Sequence, residues 1–270
     1  MRSGLFLIAT GAAVAIIAVV PASAQSLRDF CADRPGLNTP ACTLDPGHVM
    51  IESGLVDWTR DHDGAQRADT MTFTDTLVRV GLDSRTEAQV GWTAFGIRRD
   101  RDAIAGTAER SRGVGDMTVA LRRNLRNPEG SGVSLAIMSV ATIPTGGRAI
   151  GAGDWGAALL APMSINLPAK IDLELTPEID AAVDEDGHGR HVAYGSAVGL
   201  EVPVGHAVLA TGELSVFHDD DPAGHSTRST AGLSLARQRG TNLQFDAGVN
   251  VGLNRTTDDL NLYVGVARRF

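Results

Sequence analysis

Apolar and polar residues alternate with a period of two along most of this chain, most cleanly in LNLYVGVARRF at 260–270. One face there carries Leu260, Leu262, Val264, Val266 and Phe270, interrupted by Arg268; the other carries Asn261, Tyr263, Gly265, Ala267 and Arg269. Such a period belongs to a β-strand with one apolar and one polar or small face. IDLELTPEIDA at 171–181 sets Ile171, Leu173, Leu175, Pro177 and Ile179 against Asp172, Glu174, Thr176, Glu178 and Asp180, and 242–254 repeats the scheme. Further runs lie near 48–58, 70–80, 86–97, 113–124, 133–143, 156–166, 191–202, 206–217 and 227–238, with the pattern less clean over 48–58 and 70–80. About twelve strands of roughly ten residues follow, the length a tilted strand needs to cross a bilayer.

The breaks between these runs alternate in length. GLDSR (81–85), NPEGSG (127–132), LPAK (167–170), PVG (203–205) and RGT (239–241) are short. Between them stand longer polar segments at 59–69, 98–112, 144–155, 183–190 and 218–226, with NRTTD at 254–258 a shorter member of the set. Short turns at one end and long loops at the other are the anatomy of an outer-membrane barrel. A soluble β-sandwich also alternates, yet it requires neither ten-residue strands, nor this loop order, nor a terminal aromatic. The expectation is an all-β fold: one transmembrane antiparallel barrel over 48–270, with both termini in the periplasm. Phe270, ending an apolar face, resembles the C-terminal assembly signal of such barrels and is assigned that role.

The N-terminus fits that address. Arg2 precedes an almost wholly apolar Leu5–Val20, then Pro21 and Ala22-Ser23-Ala24. That order predicts a signal peptide over 1–24, cleaved before Gln25, rather than a membrane anchor, for which the apolar stretch is short. Export permits disulfides, and CADRPGLNTPAC encloses Pro35, Gly36, Asn38 and Pro40, which turn the chain back. A Cys31–Cys42 disulfide is expected in a periplasmic segment over 25–47; two isolated thiols fall short of a tetrahedral metal site.

Charge narrows the partners. The net charge is −8, the basic residues are scattered and Lys170 is the only lysine, so no nucleic-acid surface is indicated. Aromatics make up 4% of the residues, sparse for interfacial girdles. The inward face reads as acidic: Glu87, Asp116, Asp172, Glu174, Glu178, Asp180, Glu201, Glu213 and Asp246 against Arg122, Arg228 and Arg269. Such a lumen lines a wet path that disfavours anions; the alternative is an interior filled by ion-paired side chains.

SVATIPTGGRAIGAGDWGAALLAP at 139–162 resembles a signature of outer-membrane proteins grouped under the meta-pathway of phenol degradation. The matching residues are Pro144, Thr145, Gly146, Gly151, Gly153, Asp154 and Trp155, and 34–61 is similar to the opening of that group's proteobacterial members. The resemblance implies a barrel related to channels for small, often aromatic or hydrophobic, organic compounds. Its motifs are structural glycines and prolines rather than chemistry.

Two loops, 184–191 and 217–226, combine Asp with His. His218, Asp219, Asp220, Asp221 and His225 are weak metal candidates; without the spaced ligands of a calcium loop they read as solvated turn residues, and no metal or cofactor is expected. A rim hydrolase using His188, His191, His218 and Asp219 to Asp221 is the remotest reading, because no nucleophile elbow, Walker loop or zinc motif occurs. The expected function is non-enzymatic: a channel for passive uptake of small organic solutes in the outer membrane of a Gram-negative bacterium. A non-transporting structural or surface-interaction barrel is the alternative. The implied partners are outer-membrane lipid and lipopolysaccharide or an equivalent, the barrel-assembly machinery and the solute.

Overall fold

The computed structural model describes residues 27–270; the export segment expected at 1–24 lies outside the described residues. Strands follow in the order β1 (Val49–Asp63), β2 (Gln66–Gly81), β3 (Thr86–Asp102), β4 (Thr107–Gly113), β5 (Met117–Arg126), β6 (Val133–Ile143) and β7 (Gly156–Leu160). Then come β8 (Met163–Leu167), β9 (Ile171–Val183), β10 (Arg190–Gly205), β11 (Val208–Asp221), β12 (Gly224–Arg239), β13 (Leu243–Gly252) and β14 (Leu260–Arg269). All pairings are antiparallel, and β14 pairs with β1 from Met50 opposite Arg269 to Arg60 opposite Leu260, which closes the sheet. β4 and β5 both pair with β3, while β7 and β8 both lie between β6 and β9. The fourteen segments therefore make a closed barrel of twelve staves.

Pro162 explains the break in the run expected at 156–166. It offers no N–H to the ladder, and the stave divides there into β7 and β8. Its carbonyl accepts from Ala136 and the Ala161 amide donates to Pro177, so the gap costs little.

The interior is polar and the exterior apolar, the reverse of a soluble domain. Arg79, Arg122, Glu52 and Glu87 are fully buried, while Leu214, Leu233, Leu235, Phe245 and Val264 are exposed. Around β1–β3 the alternation slips once. Leu55, Thr74 and Ala94 drop out of the pairing at one level, Thr74 with φ of 55°, and this blurs the pattern over 48–58 and 70–80.

The segments 59–69 and 98–112, expected as loops, are mostly strand. β1, β2 and β3 run on to Asp63 opposite Gln66 and Gln66 opposite Asp102, and β4 adds a fourth strand. Apolar residues stop where the barrel leaves its apolar belt, but the backbone ladder continues with charged side chains in the same period of two.

Candidate functional site

The chain ahead of β1 does not stand apart from the barrel as a separate periplasmic segment. It enters the lumen at the end where β1 begins and β14 finishes, and forms a plug. A non-repetitive segment inside a barrel needs a partner for each buried backbone group, and the wall supplies them from side chains. Glu52 accepts the Asp33 and Arg34 amides at 3.0 and 2.9 Å. Glu213 accepts the Leu37 and Asn38 amides, each at 2.9 Å, and Glu87 accepts that of Leu44 at 2.9 Å. Thr176 and Ser164 receive the Thr39 and Ala41 amides.

Plug carbonyls are met by donors of the wall. Arg79 donates to Cys31, Arg122 to Cys42, Asn124 to Ala41, Gln244 to Arg34 and Arg269 to Arg28. Cys31 and Cys42 form a disulfide with their Cα atoms 6.6 Å apart, so both half-cystine carbonyls rest on wall arginines. The barrel makes room by omitting side chains: a Cβ on Gly265 would lie 2.4 Å from the Arg34 guanidinium, and one on Gly81 2.1 Å from the Asp45 carbonyl.

One side of the plug is sealed by ions. Arg79 bonds Glu87 through Nε and Nη2, each at 3.0 Å, and reaches Glu52 and Asp33, each at 2.9 Å. Arg122 reaches Asp33 and Glu87. Opposite, Arg34 pairs with the buried Asp246 at 2.9 Å. Sequence reasoning placed Glu87, Arg122, Glu213 and Asp246 on a wet path; the structure uses them as sockets for the plug. Glu52, Arg79 and Asn124 were missed: Glu52 and Arg79 lie in the two runs where the alternation is blurred, while Asn124 shares the parity of Arg122.

The other side is less filled. A cavity of about 530 Å³ lies between the plug and β8–β13, lined by Cys31, Asp33 and Pro35 on one hand and Asp172, Glu174, Glu201 and Thr211 on the other. Asp172 accepts from Asn166, whereas Glu174 and Glu201 form no ion pair among the described residues. Farther along β9 stand Glu178 and Asp180.

At the loop end, Asp116 lies between β4 and β5 and does not line an open path. Its carboxylate accepts the amides of Gly146 and Ala152 at 2.9 and 2.7 Å and staples the glycine-rich 144–155 segment down. Asp154 of that segment pairs with Arg190 at 2.9 Å, and the Arg190 bond and the Trp155 amide hold its carboxyl below the usual carboxylate range. The three aspartates at 219–221 are divided by strand parity. Asp219 and Asp221 face His191 at 2.7 and 3.4 Å, with Asp184 on the same ring at 2.9 Å. Asp220 instead meets His218 and His225, at 3.1 and 3.0 Å. The candidate metal set is thus split between two faces, and among the described residues the inward group of Asp184, His191 and Asp221 is the one whose donor atoms converge. Arg228 sits 3.6 Å from Asp219, and the His188 backbone amide donates to Asp186 of the same rim loop. Phe270 is exposed below Arg268, its backbone paired with Val49.

A family model described as "Putative MetA-pathway of phenol degradation" matches residues 32–270. Among solved structures, the NanC porin is 7% identical with a TM-score of 0.51, over 82% of this chain and 98% of that one. The translocator domain of the autotransporter NalP from Neisseria meningitidis is 16% identical with a TM-score of 0.50, over 83% and 88%. The β domain of the Bordetella autotransporter BrkA is 14% identical with a TM-score of 0.50, over 84% and 100%. At such identities the likeness is one of fold. No curated protein sequence matches the chain.

Proposed function

The chain belongs to the family described as "Putative MetA-pathway of phenol degradation", and from that premise we propose that it is an outer-membrane channel for passive entry of small organic solutes, narrowed by its own N-terminal plug. The observation that carries this reading is the cavity of about 530 Å³ beside the plug, the size of a small-ligand pocket. Its barrel wall bears Asp172, Glu174 and Glu201, while the two arginines on its plug side, Arg28 and Arg34, are already paired with Asp45 and Asp246. A route along that wall favours neutral or cationic solutes over organic anions. Phenols and aromatic amines fit this condition, and aromatic carboxylates do not.

Purified barrel in planar bilayers should give small, cation-preferring conductance, and proteoliposomes should admit phenol and aniline faster than benzoate. A silent bilayer together with no solute entry would overturn the reading. Fractionation should find the folded protein in the outer membrane with heat-modifiable migration.

The buried ion network favours a second reading, a barrel with a filled lumen that transports nothing. The same bilayer measurement decides between them.

A further inference from the structure

The strand extensions of β1–β4 segregate charge between their two faces. Inward, the row Asp61, Ala68, Asp100 and Glu109 is acidic. Outward, one row reads Arg60, Asp69, Arg99 and Arg110, and the next His62, Arg67, Arg101 and Ala108. The row nearer the membrane is Trp58, Met71, Ile97 and Arg112, and below it Val56, Phe73 and Phe95 continue the apolar belt. Asp69 is the one acid on these outward rows and is already bonded to Arg60 and Arg67 at 3.2 and 2.7 Å. Arg99, Arg110 and Arg112 are exposed and form no ion pair among the described residues.

Six outward arginines on one flank of a chain of net charge −8 form a local field of the opposite sign. A groove of about 540 Å³ joins the two chemistries on that flank, with Trp58, Met71 and Ile97 at its apolar part and Arg99 and Arg110 at its cationic part; Glu109 and the already paired Asp69 also line it. Successive rows lie about 7 Å apart, two residues along a strand. An amphiphile lying against the belt would thus present its headgroup to arginines within one or two rows. Guanidinium groups bind phosphate in bidentate fashion and are the side chains best suited to it. We infer that this flank is a binding surface for an acylated, phosphorylated glycolipid of the outer leaflet, its acyl chains on Phe73, Phe95, Trp58 and Met71 and its phosphate on Arg99, Arg110 and Arg112. The inference rests on outer-membrane residence and not on conduction, so a non-conducting barrel leaves it intact.

Native mass spectrometry of the full-length folded barrel, titrated with diphosphoryl lipid A, its dephosphorylated form and phosphatidylglycerol, tests it. The diphosphoryl lipid should bind at least about tenfold more tightly than either comparator, given charge-assisted bonds of this kind. The combined Arg99→Gln, Arg110→Gln and Arg112→Gln variant should lose that advantage, while Arg239→Gln with Arg268→Gln, at the opposite end, should keep it. Should the triple variant fail to show heat-modifiable migration, Arg99→Gln and Arg110→Gln alone should each weaken binding by about threefold or more. Equal binding of the dephosphorylated lipid or of phosphatidylglycerol, or undiminished binding by these variants, would overturn the inference.

Discussion

Arg122 of β5 and Asp33 of the plug meet through two parallel hydrogen bonds, 2.9 and 2.6 Å long. Asp33 also reaches Arg79, and both arginines share Glu87, so two guanidinium groups are set among three carboxylates counting Glu52. The plug thereby completes an ion network that the barrel wall leaves open. Because Glu52, Glu87 and both guanidinium groups are fully buried, an arginine lost from such a network leaves carboxylates uncompensated.

That charge balance orders two variants. Arg122→Gln leaves three carboxylates to one guanidinium and should destabilise the folded barrel by about 3–5 kcal/mol. Asp33→Asn leaves two of each sign and forfeits mainly the strength of its charged bonds, costing roughly 1–3 kcal/mol. Thermal unfolding followed by gel mobility measures both, and the reverse order would refute the assignment of Asp33 to the network.

The Cys31–Cys42 bond spans a sequence separation of 11, which on the chain-entropy model is worth about 3 kcal/mol. Replacing both cysteines by serine should loosen the plug without unfolding the barrel, since the staves close on themselves through β1 and β14. Hydrogen exchange at the Leu37, Asn38 and Leu44 amides should quicken, and conductance should rise. Unchanged exchange at those amides would mean the wall alone fixes the plug.

How far the sequence could be read depended on where a residue's partner comes from. The facing of 171–181 was legible because four carboxylates alternate with apolar residues within one strand, and Thr176 of that face does touch the plug. The plug itself was not legible. Its residues follow no period, and their partners, Glu52, Glu87 and Glu213, serve backbone amides that carry no signature in sequence. The available hint was glycine at inward strand positions, Gly81 and Gly265, where a barrel without a plug has no need of a gap. The extensions of β1–β3 were hidden because the alternation there is between arginine and acid rather than apolar and polar. Closure into twelve staves was legible from the regular breaks, while Pro162 was passed over inside the run at 156–166.

The Asp154–Arg190 pair predicts a pH dependence at the rim. The Asp154 carboxyl is held below its usual range, so the pair's contribution is present above the unfolded-state value near 3.9 and is lost as pH falls through the lower folded value. Trp155, whose ring lies 4.3 Å beneath the Arg190 guanidinium, reports it. With Trp58 and Trp92 replaced by Phe, its fluorescence should be flat from about pH 8 to 5 and change only below about 4. A transition near neutrality would contradict this.

Phe270 contributes little packing: the residue is 57% exposed, and its backbone exchanges two bonds with Val49, at 2.7 and 3.3 Å. Deleting it should therefore cost the finished barrel only about 1–2 kcal/mol, yet should reduce the amount assembled in cells if the assembly machinery reads that aromatic. Pulse-labelling that shows normal export with slowed acquisition of heat-modifiable migration is the expected outcome. Assembly at the full rate would remove the assignment of Phe270 as a signal.

The acidic wall gives the sharpest test of the route. Glu174 lines the cavity beside the plug, and Glu178 stands two turns of the pleat farther along the same face of β9. Neither forms an ion pair among the described residues, so their charge is not cancelled locally, and cations should enter ahead of anions. The preference should weaken between about 0.1 and 1 M salt, as the screening length drops from roughly 10 to 3 Å. Replacing Glu174 and Glu178 together by Gln keeps shape and hydrogen-bonding capacity, and should bring the cation-to-anion permeability ratio closer to one while assembly is unaffected. Reversal potentials across a salt gradient measure the ratio. Were the wild type to prefer anions, or the double variant to match it, ions would not be passing along β9, and the space beside the plug would not be the path.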